Sequence, residues 1–136
     1  MRGLVAGADG YIGFCISMHL ANNGFDVVGL DNFLRRRLVN EVGSQSATPI
    51  SSITDRISVF QKEFGRKIDF EYGDLKDYNF VYYVLKKYKP TAILHLGEQS
   101  SATYSMIDIN TAVSTQTNNI VGTLNLLHAM HKVIPQ

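Results

Sequence analysis

Residues 2–13 read Arg-Gly-Leu-Val-Ala-Gly-Ala-Asp-Gly-Tyr-Ile-Gly, and this stretch decides the fold. Leu4, Val5 and Ala6 make a short apolar strand. It breaks into Gly7, Gly10 and Gly13 and runs into a helix. Glycines at this spacing between a strand and a helix signal a dinucleotide-binding turn. Gly7 permits the tight turn off the strand. Gly10 leaves space for a pyrophosphate against the backbone, and Gly13 lets the helix pack closely on the sheet. The pyrophosphate would rest on the free N–H groups at the positive end of the helix dipole. The flanking strand and helix favour this reading over a glycine turn that binds nothing.

Composition bounds the rest. A chain of 136 residues is one domain at most. Hydrophobic content of 45% with 18% charged residues fits a soluble globular protein long enough to bury a core. The net charge of +1 leaves no footprint for nucleic acid or an anionic membrane, and Arg35-Arg36-Arg37 is too short to change that. The single cysteine, Cys15, excludes an internal disulfide and suits a reducing compartment, here the cytoplasm. No apolar run approaches the roughly 18 residues of a membrane span. The sequence opens directly on the first strand, so neither a signal nor a transit peptide is expected. There is no internal repeat, low-complexity tract or metal-ligand cluster.

Outward from the glycines, a helix is expected from Tyr11 to Asn22. Its sheet-facing side would carry Ile12, Cys15, Ile16, His19 and Leu20, and Asn23-Gly24 would cap it. Phe25 to Leu30 is the second strand, ending in Asp31. A carboxylate there either caps a turn with Asn32 or accepts from the adenosine ribose hydroxyls. The glycine motif upstream favours the ribose, and the carboxylate would repel a 2′-phosphate, so NAD is expected rather than NADP. Arg35 and Arg36 pull the other way, toward a 2′-phosphate, adenine or solvent. Asp31 decides, because like-charge repulsion in a partly desolvated pocket outweighs what flexible arginines recover. Residues 33–66 exceed a simple crossover; 43–52 read as loop, and Thr54 or Asp55 would cap a helix over 56–64.

Ile68 to Tyr72 is the third strand. Asp74 after it either accepts from the adenine amino group, with the Leu75 backbone beside it, or caps a turn. A helix over 78–88 follows, stopped by Pro90. Thr91 to Leu96 is the fourth strand, apolar on both sides of His95 as a covered parallel strand would be. His95 itself is expected to be a packed strand histidine. At this strand's carboxyl end stand Gly97, Glu98 and Gln99, where open α/β sheets bind their ligands. Residues 105–108 turn into a long helix from Ile109 or Thr111 to Lys132. Gly122 inside it is expected to serve close packing, since it costs about 1 kcal/mol against alanine.

The motif Gly7-Ala-Asp-Gly-Tyr-Ile-Gly13 resembles that of the extended short-chain dehydrogenases/reductases, the NAD-dependent epimerase/dehydratase superfamily. Asn119-Ile-Val-Gly-Thr123 is similar to its Asn-Val-x-Gly-Thr helix motif. Asp9 within the loop, Asp31-Asn-Phe-Leu-Arg-Arg-Arg37, residues 48–57 and above all Gly97-Glu-Gln-Ser-Ser-Ala-Thr-Tyr-Ser-Met-Ile-Asp108 resemble the UDP-sulfoquinovose synthase family of sulfolipid biosynthesis. The resemblance covers nearly the whole chain. It implies a cofactor, NAD, and a nucleotide-sugar substrate, UDP-glucose. It also implies oxidation at the sugar's C4, loss of water, sulfite addition at C6 and return of the hydride. Carried over by position, Gly7, Asp9, Gly10, Tyr11, Ile12 and Gly13 would hold the pyrophosphate. Asp31, Asn32, Arg35 and Arg36 would hold the adenosine, and Asp74 and Leu75 would frame the adenine. Leu96, Gly97, Glu98 and Gln99 would lie near ribose and nicotinamide, with Asn119 supporting them.

The sequence departs from this pattern in two ways. Ser100 stands where the family has an arginine after Gly-Glu-Gln, and Thr103 replaces a proline. This leaves open another nucleotide-sugar epimerase or dehydratase. The family's catalytic Tyr-x-x-x-Lys pair, on the helix after the next strand, also has no counterpart here. Tyr83 and Lys87 share the spacing on a crossover helix and are read as solvated. The chain alone is therefore expected to bind NAD without turnover, and a catalytically silent NAD-binding module stays open. The expected fold is a Rossmann-type doubly wound parallel sheet, order 3-2-1-4, in three αβα layers, truncated before a fifth strand. Residues 1–136 would form one NAD-binding domain without a substrate domain. The open fourth strand makes a homodimer or a missing covering segment expected.

Overall fold

A computed structural model describes residues 1–134; Pro135 and Gln136, assigned from sequence to the chain's end, lie outside the described residues. The elements in order are β1 (Arg2–Ala6), α1 (Tyr11–Asn22), β2 (Asp26–Asp31), α2 (Leu34–Glu41), α3 (Ile53–Phe64), β3 (Ile68–Tyr72), α4 (Tyr78–Tyr88), β4 (Ala92–His95), α5 (Ala102–Ser105) and α6 (Ile109–Val133). The strands form one parallel sheet in the order β3-β2-β1-β4, as expected.

Strand alternation sends Leu4, Ala6 and Leu30 to one face, where they pack with Val81, Val84 and Leu85 of α4 and Leu126 and Ala129 of α6. Val5, Val27 and Ile68 go to the other face, against Ala21 of α1 and Phe60 of α3. The result is the expected three-layer arrangement. Local chemistry sets the helix ends. Asp77 accepts from the N–H groups of Asn79 and Phe80 to open α4. Asp108 and Thr111 form a reciprocal capping box on α6. Gly122 of α6 lies against Leu75: a Cβ there would stand 3.1 Å from the Leu75 Cβ. Close packing is therefore what that glycine serves.

Three expectations need correction, and one helix was not anticipated. The buried residues of α1 are Gly13, Phe14, Ser17 and Ala21, and Cys15 is exposed rather than part of the core. Gly13 must lie on the Gly7 carbonyl, and that contact fixes the helix's rotation more firmly than hydrophobic spacing does. Residues 34–41 form a helix that the sequence does not announce. Its start is a left-handed Phe33, with φ 58 and no capping group of its own, held by ring packing on Phe70 and Tyr72 and by the Asn32 side chain, which accepts from the Leu34 N–H. The next helix begins at Ile53 under a Ser52 cap, upstream of the expected Thr54 or Asp55. Finally, β4 is not covered like an inner strand. As the open edge it leaves Ala92 exposed and Ile93, Leu94 and His95 only half-buried.

Candidate dinucleotide-binding site

The glycine loop is built from backbone contacts that side chains would destroy. Gly7 has φ +85, and a Cβ on it would come 2.5 Å from the Leu96 carbonyl oxygen. A Cβ on Gly13 would collide with the Gly7 carbonyl. The Gly7 and Ala8 N–H groups both donate to the Leu30 carbonyl, at 2.8 and 3.2 Å. Gly10 then starts α1 with no side-chain cap and no acidic residue in the first turn. Tyr11 and Ile12 are 90% and 57% exposed, so this turn faces solvent. Uncapped N–H groups at the positive end of a helix, open at the carboxyl edge of the sheet, form an anion-accepting cradle.

Asp31 stands beside the loop. Its Oδ2 accepts from the Asp9 N–H at 2.9 Å and its Oδ1 from the Phe33 N–H at 2.7 Å. Each oxygen keeps a further lone pair for a hydroxyl donor. Burial pushes the Asp31 carboxyl above its ordinary value, against the pull of those two N–H groups. Asn32 caps the next turn by accepting from the Leu34 N–H. The two arginines carried over to adenosine part company. Arg35 reaches across to the Gln99 Oε1 at 3.4 Å. Arg36 turns to the carboxylate of Asp9, with its Nη2 donating at 2.9 Å, and that hydrogen bond raises its pKa further. The carboxylate of Asp9 faces Arg36 and Arg56, so only its backbone borders the loop's open side. Arg56 is a residue the sequence reading missed.

On the other side, α6 supports the β4 exit through amides. Asn119 accepts from the Gln99 N–H at 2.8 Å and donates to the Gln99 carbonyl at 3.0 Å. Asn118 donates to the Gly97 carbonyl, and Asn125 donates to the carbonyls of Leu75 and Lys76. Neither residue is singled out by the sequence: Asn118 lies in a polar run early in the helix, and Asn125 among apolar neighbours. Gly97 packs its backbone toward Gly7 and Leu75. Gln99 is buried, with its Nε2 lacking a partner, while Leu96, Glu98 and Ser100 are exposed. The ring of His95 meets Thr123, and burial lowers its pKa while Glu98 opposes that.

Asp74 caps its turn through the Lys76 N–H at 2.9 Å, which supports the capping alternative, while Leu75 is buried beneath Gly97 and Gly122. Tyr83 and Lys87 lie on α4, where Lys87 is paired with Glu71 of β3 at 2.7 Å. The pair with Tyr-x-x-x-Lys spacing is thus engaged away from the glycine loop. Among the described residues no cluster of three or more His, Cys, Asp or Glu is placed to hold a metal. No described helix is long and apolar enough to cross a membrane.

The family model described as GDP-mannose 4,6 dehydratase matches residues 4–135. The chain belongs to this family. It is similar to UDP-sulfoquinovose synthase of Sulfolobus acidocaldarius, at 44% identity over 99% of the chain and 34% of that protein. It is also similar to the chloroplastic UDP-sulfoquinovose synthase of Spinacia oleracea, at 43% identity over 95% of the chain and 27% of the relative. The chain therefore spans about a third of the length of these curated relatives. A solved UDP-glucose 4-epimerase from Stenotrophomonas maltophila, with bound NAD and formylated UDP-arabinopyranose, shares the fold at TM-score 0.76 and 22% identity. That match covers 98% of this chain and 34% of the other. The Thermus thermophilus UDP-glucose 4-epimerase in complex with NAD matches at TM-score 0.69 and 27% identity, over 98% and 34%.

Proposed function

We propose that this chain is the NAD-binding portion of a nucleotide-sugar-modifying enzyme of the UDP-sulfoquinovose synthase type. The observation that carries the reading is the uncapped first turn of α1, opening beside Asp31 at the carboxyl ends of β1 and β2. The N–H groups of that turn, with Gly7, Gly10 and Gly13, would take the pyrophosphate. Asp31 would accept from the adenosine ribose. Because Arg36 is occupied by Asp9, fewer cations remain for a 2′-phosphate, which supports NAD over NADP. Asn32 and Arg35 would border the adenosine, with Asp74 and Leu75 at the adenine. Gln99, held by Asn119, and its neighbours Leu96, Gly97 and Glu98 would meet the nicotinamide half.

The bound NAD supplies reversible hydride acceptance from a sugar carbon. The chain's own residues bind and orient it. The remaining chemistry of UDP-glucose and sulfite would belong to the Tyr-x-x-x-Lys segment of a longer protein, so this chain by itself would not turn over. A second reading, another nucleotide-sugar epimerase or dehydratase, is favoured by Ser100, which puts an exposed hydroxyl where the sulfoquinovose family has a cation. Residues 1–136 would form one domain, and the lone cysteine is the ground for placing it in the cytoplasm. The exposed apolar side chains of α6, among them Ile120, Leu124 and Leu127, support a covering partner, either further chain or a second copy.

Calorimetric titration of the chain with NAD and NADP tests the reading. NAD should bind more tightly than NADP, and Asp31→Ala should weaken NAD at least ten-fold. An Asp31→Ala chain that binds NAD as well as the parent would remove the ribose assignment. For the longer protein, incubation with UDP-glucose, NAD and sulfite should yield a sulfonated sugar nucleotide; an epimerised sugar instead selects the second reading.

A further inference from the structure

Asp9 is a carboxylate placed inside a loop meant for an anion, and the structure explains why it does no harm there. Its side chain is only 6% exposed and is enclosed by two guanidinium groups. Arg36 approaches through Nε and Nη2 in a forked pairing. Arg56 donates through Nη2 to both the carboxylate and the Asp9 carbonyl, and its guanidinium lies 4.3 Å from the centre of the Phe14 ring in the first turns of α1. Arg36 also donates to the carbonyls of Ile50 and Ser51, at 3.2 and 2.9 Å. The Asp9 N–H meanwhile donates to Asp31. One residue of the glycine loop thus joins the end of β2, the helix α2, the loop at 50–51 and the helix α3.

We propose that Asp9 is a positioning residue: through Arg36 and Arg56 it makes the long 32–66 excursion a brace that holds the glycine loop in its diphosphate-accepting shape. The two arginines balance the carboxylates of Asp9 and its neighbour Asp31, so the acid inside the loop adds no net negative charge beside the cradle. The brace therefore fixes the loop without repelling the ligand. The inference rests on the proposal that this loop takes a dinucleotide.

The sign of one substitution tests it. Asp9→Asn adds a positive charge beside the diphosphate, so electrostatics alone would tighten binding. Loss of positioning weakens it. Titration calorimetry on the folded chain, well below each variant's melting temperature, should show Asp9→Asn binding NAD and ADP-ribose at least ten-fold more weakly than the parent. Arg36→Lys keeps the charge but loses the fork, and should weaken both several-fold. Hydrogen exchange should quicken together at residues 7–13 and 44–52 in both variants. A residue that serves only global stability would lower the melting temperature while leaving the affinity of folded protein unchanged. Unchanged or tighter NAD binding by Asp9→Asn overturns the proposal. A parent chain that binds no NAD overturns the dinucleotide reading instead. In that case exchange still decides the brace: unaltered protection of the two segments in Asp9→Asn removes it.

Discussion

The two halves of the sheet's carboxyl edge are fastened in different ways. At the ends of β1 and β2 the fastening is ionic: Asp9 with Arg36 and Arg56, and Asp31 accepting two backbone N–H groups. At the end of β4 it is neutral: Asn119 and Asn118 hold Gln99 and Gly97 by amide hydrogen bonds. Ionic fastening is geometrically firm and balances the two carboxylates of the half proposed to receive a diphosphate. Amide fastening gives comparable geometry with no field. Between them stands Gly7, whose backbone touches Leu96 on one side and Leu30 on the other.

Breaking that central contact should have the largest effect. Gly7→Ala forces a side chain into a left-handed conformation and places its Cβ 2.5 Å from the Leu96 carbonyl oxygen. The expected loss is about 3 kcal/mol of stability, with both halves of the edge loosened together. Urea denaturation measures it; a loss under about 1 kcal/mol would mean that the two halves are not joined at Gly7.

A paired substitution then sharpens the contrast. Asp9→Ala leaves two guanidinium groups facing each other, and since these are 34% and 19% exposed water recovers part of the cost, so about 2 kcal/mol is expected. Asn119→Ala removes three neutral hydrogen bonds and leaves the Gln99 N–H to find water, at about 1 kcal/mol. Adding salt should compensate the first variant, by screening the guanidinium repulsion, and leave the second unchanged. Equal salt responses would erase the distinction between ionic and neutral fastening.

The same contrast explains what could be read from the sequence. The glycine spacing, the four strands and the helices at 11–22 and 78–88 were legible, because each rests on contacts local in sequence or on short apolar runs. The order 3-2-1-4, which pairs β1 with the distant β4, was legible only through the fold that the glycine motif signals. Asp31 at a strand end was legible for the same reason. The pairing of Arg36 with Asp9 was not. It joins residues far apart in sequence through a helix that starts on a left-handed Phe33 and depends on that ring stacking against β3. Arg56 was hidden in the same way. On α1, hydrophobic spacing pointed to Cys15, yet one backbone contact between Gly13 and Gly7 rotated that residue to the surface. Asn118 and Asn125 appeared only as polar residues on a helix, since no local pattern says which carbonyl an amide will meet.

The smallest expected effect lies in the neutral half, which contains one group able to become charged near neutral pH. The Gly97 N–H points at the His95 Nδ1 at 3.4 Å, and the Nε2 lies 3.1 Å from the Thr123 hydroxyl. This arrangement assigns the proton to Nε2, which donates to Thr123, while Thr123 donates onward to the Asn119 carbonyl at 2.7 Å. Burial lowers the His95 pKa below its ordinary 6.5, with Glu98 opposing. The unfolded chain then binds the proton more readily than the folded one. Stability from the neutral ring is present above about pH 6.5 and is lost as the pH falls toward the lowered folded value. His95→Gln should therefore flatten the dependence of the urea midpoint on pH between about 7 and 5, where the imidazole titrates. In the ionic half the arginines stay charged throughout, and Asp31, whose carboxyl burial raises, works with the opposite sign: the folded chain holds that proton more readily, so its contribution falls as the pH rises. If His95→Gln kept the parent's pH slope, the acid sensitivity would not come from His95, and the neutral half would lose its one titrating group near neutral pH.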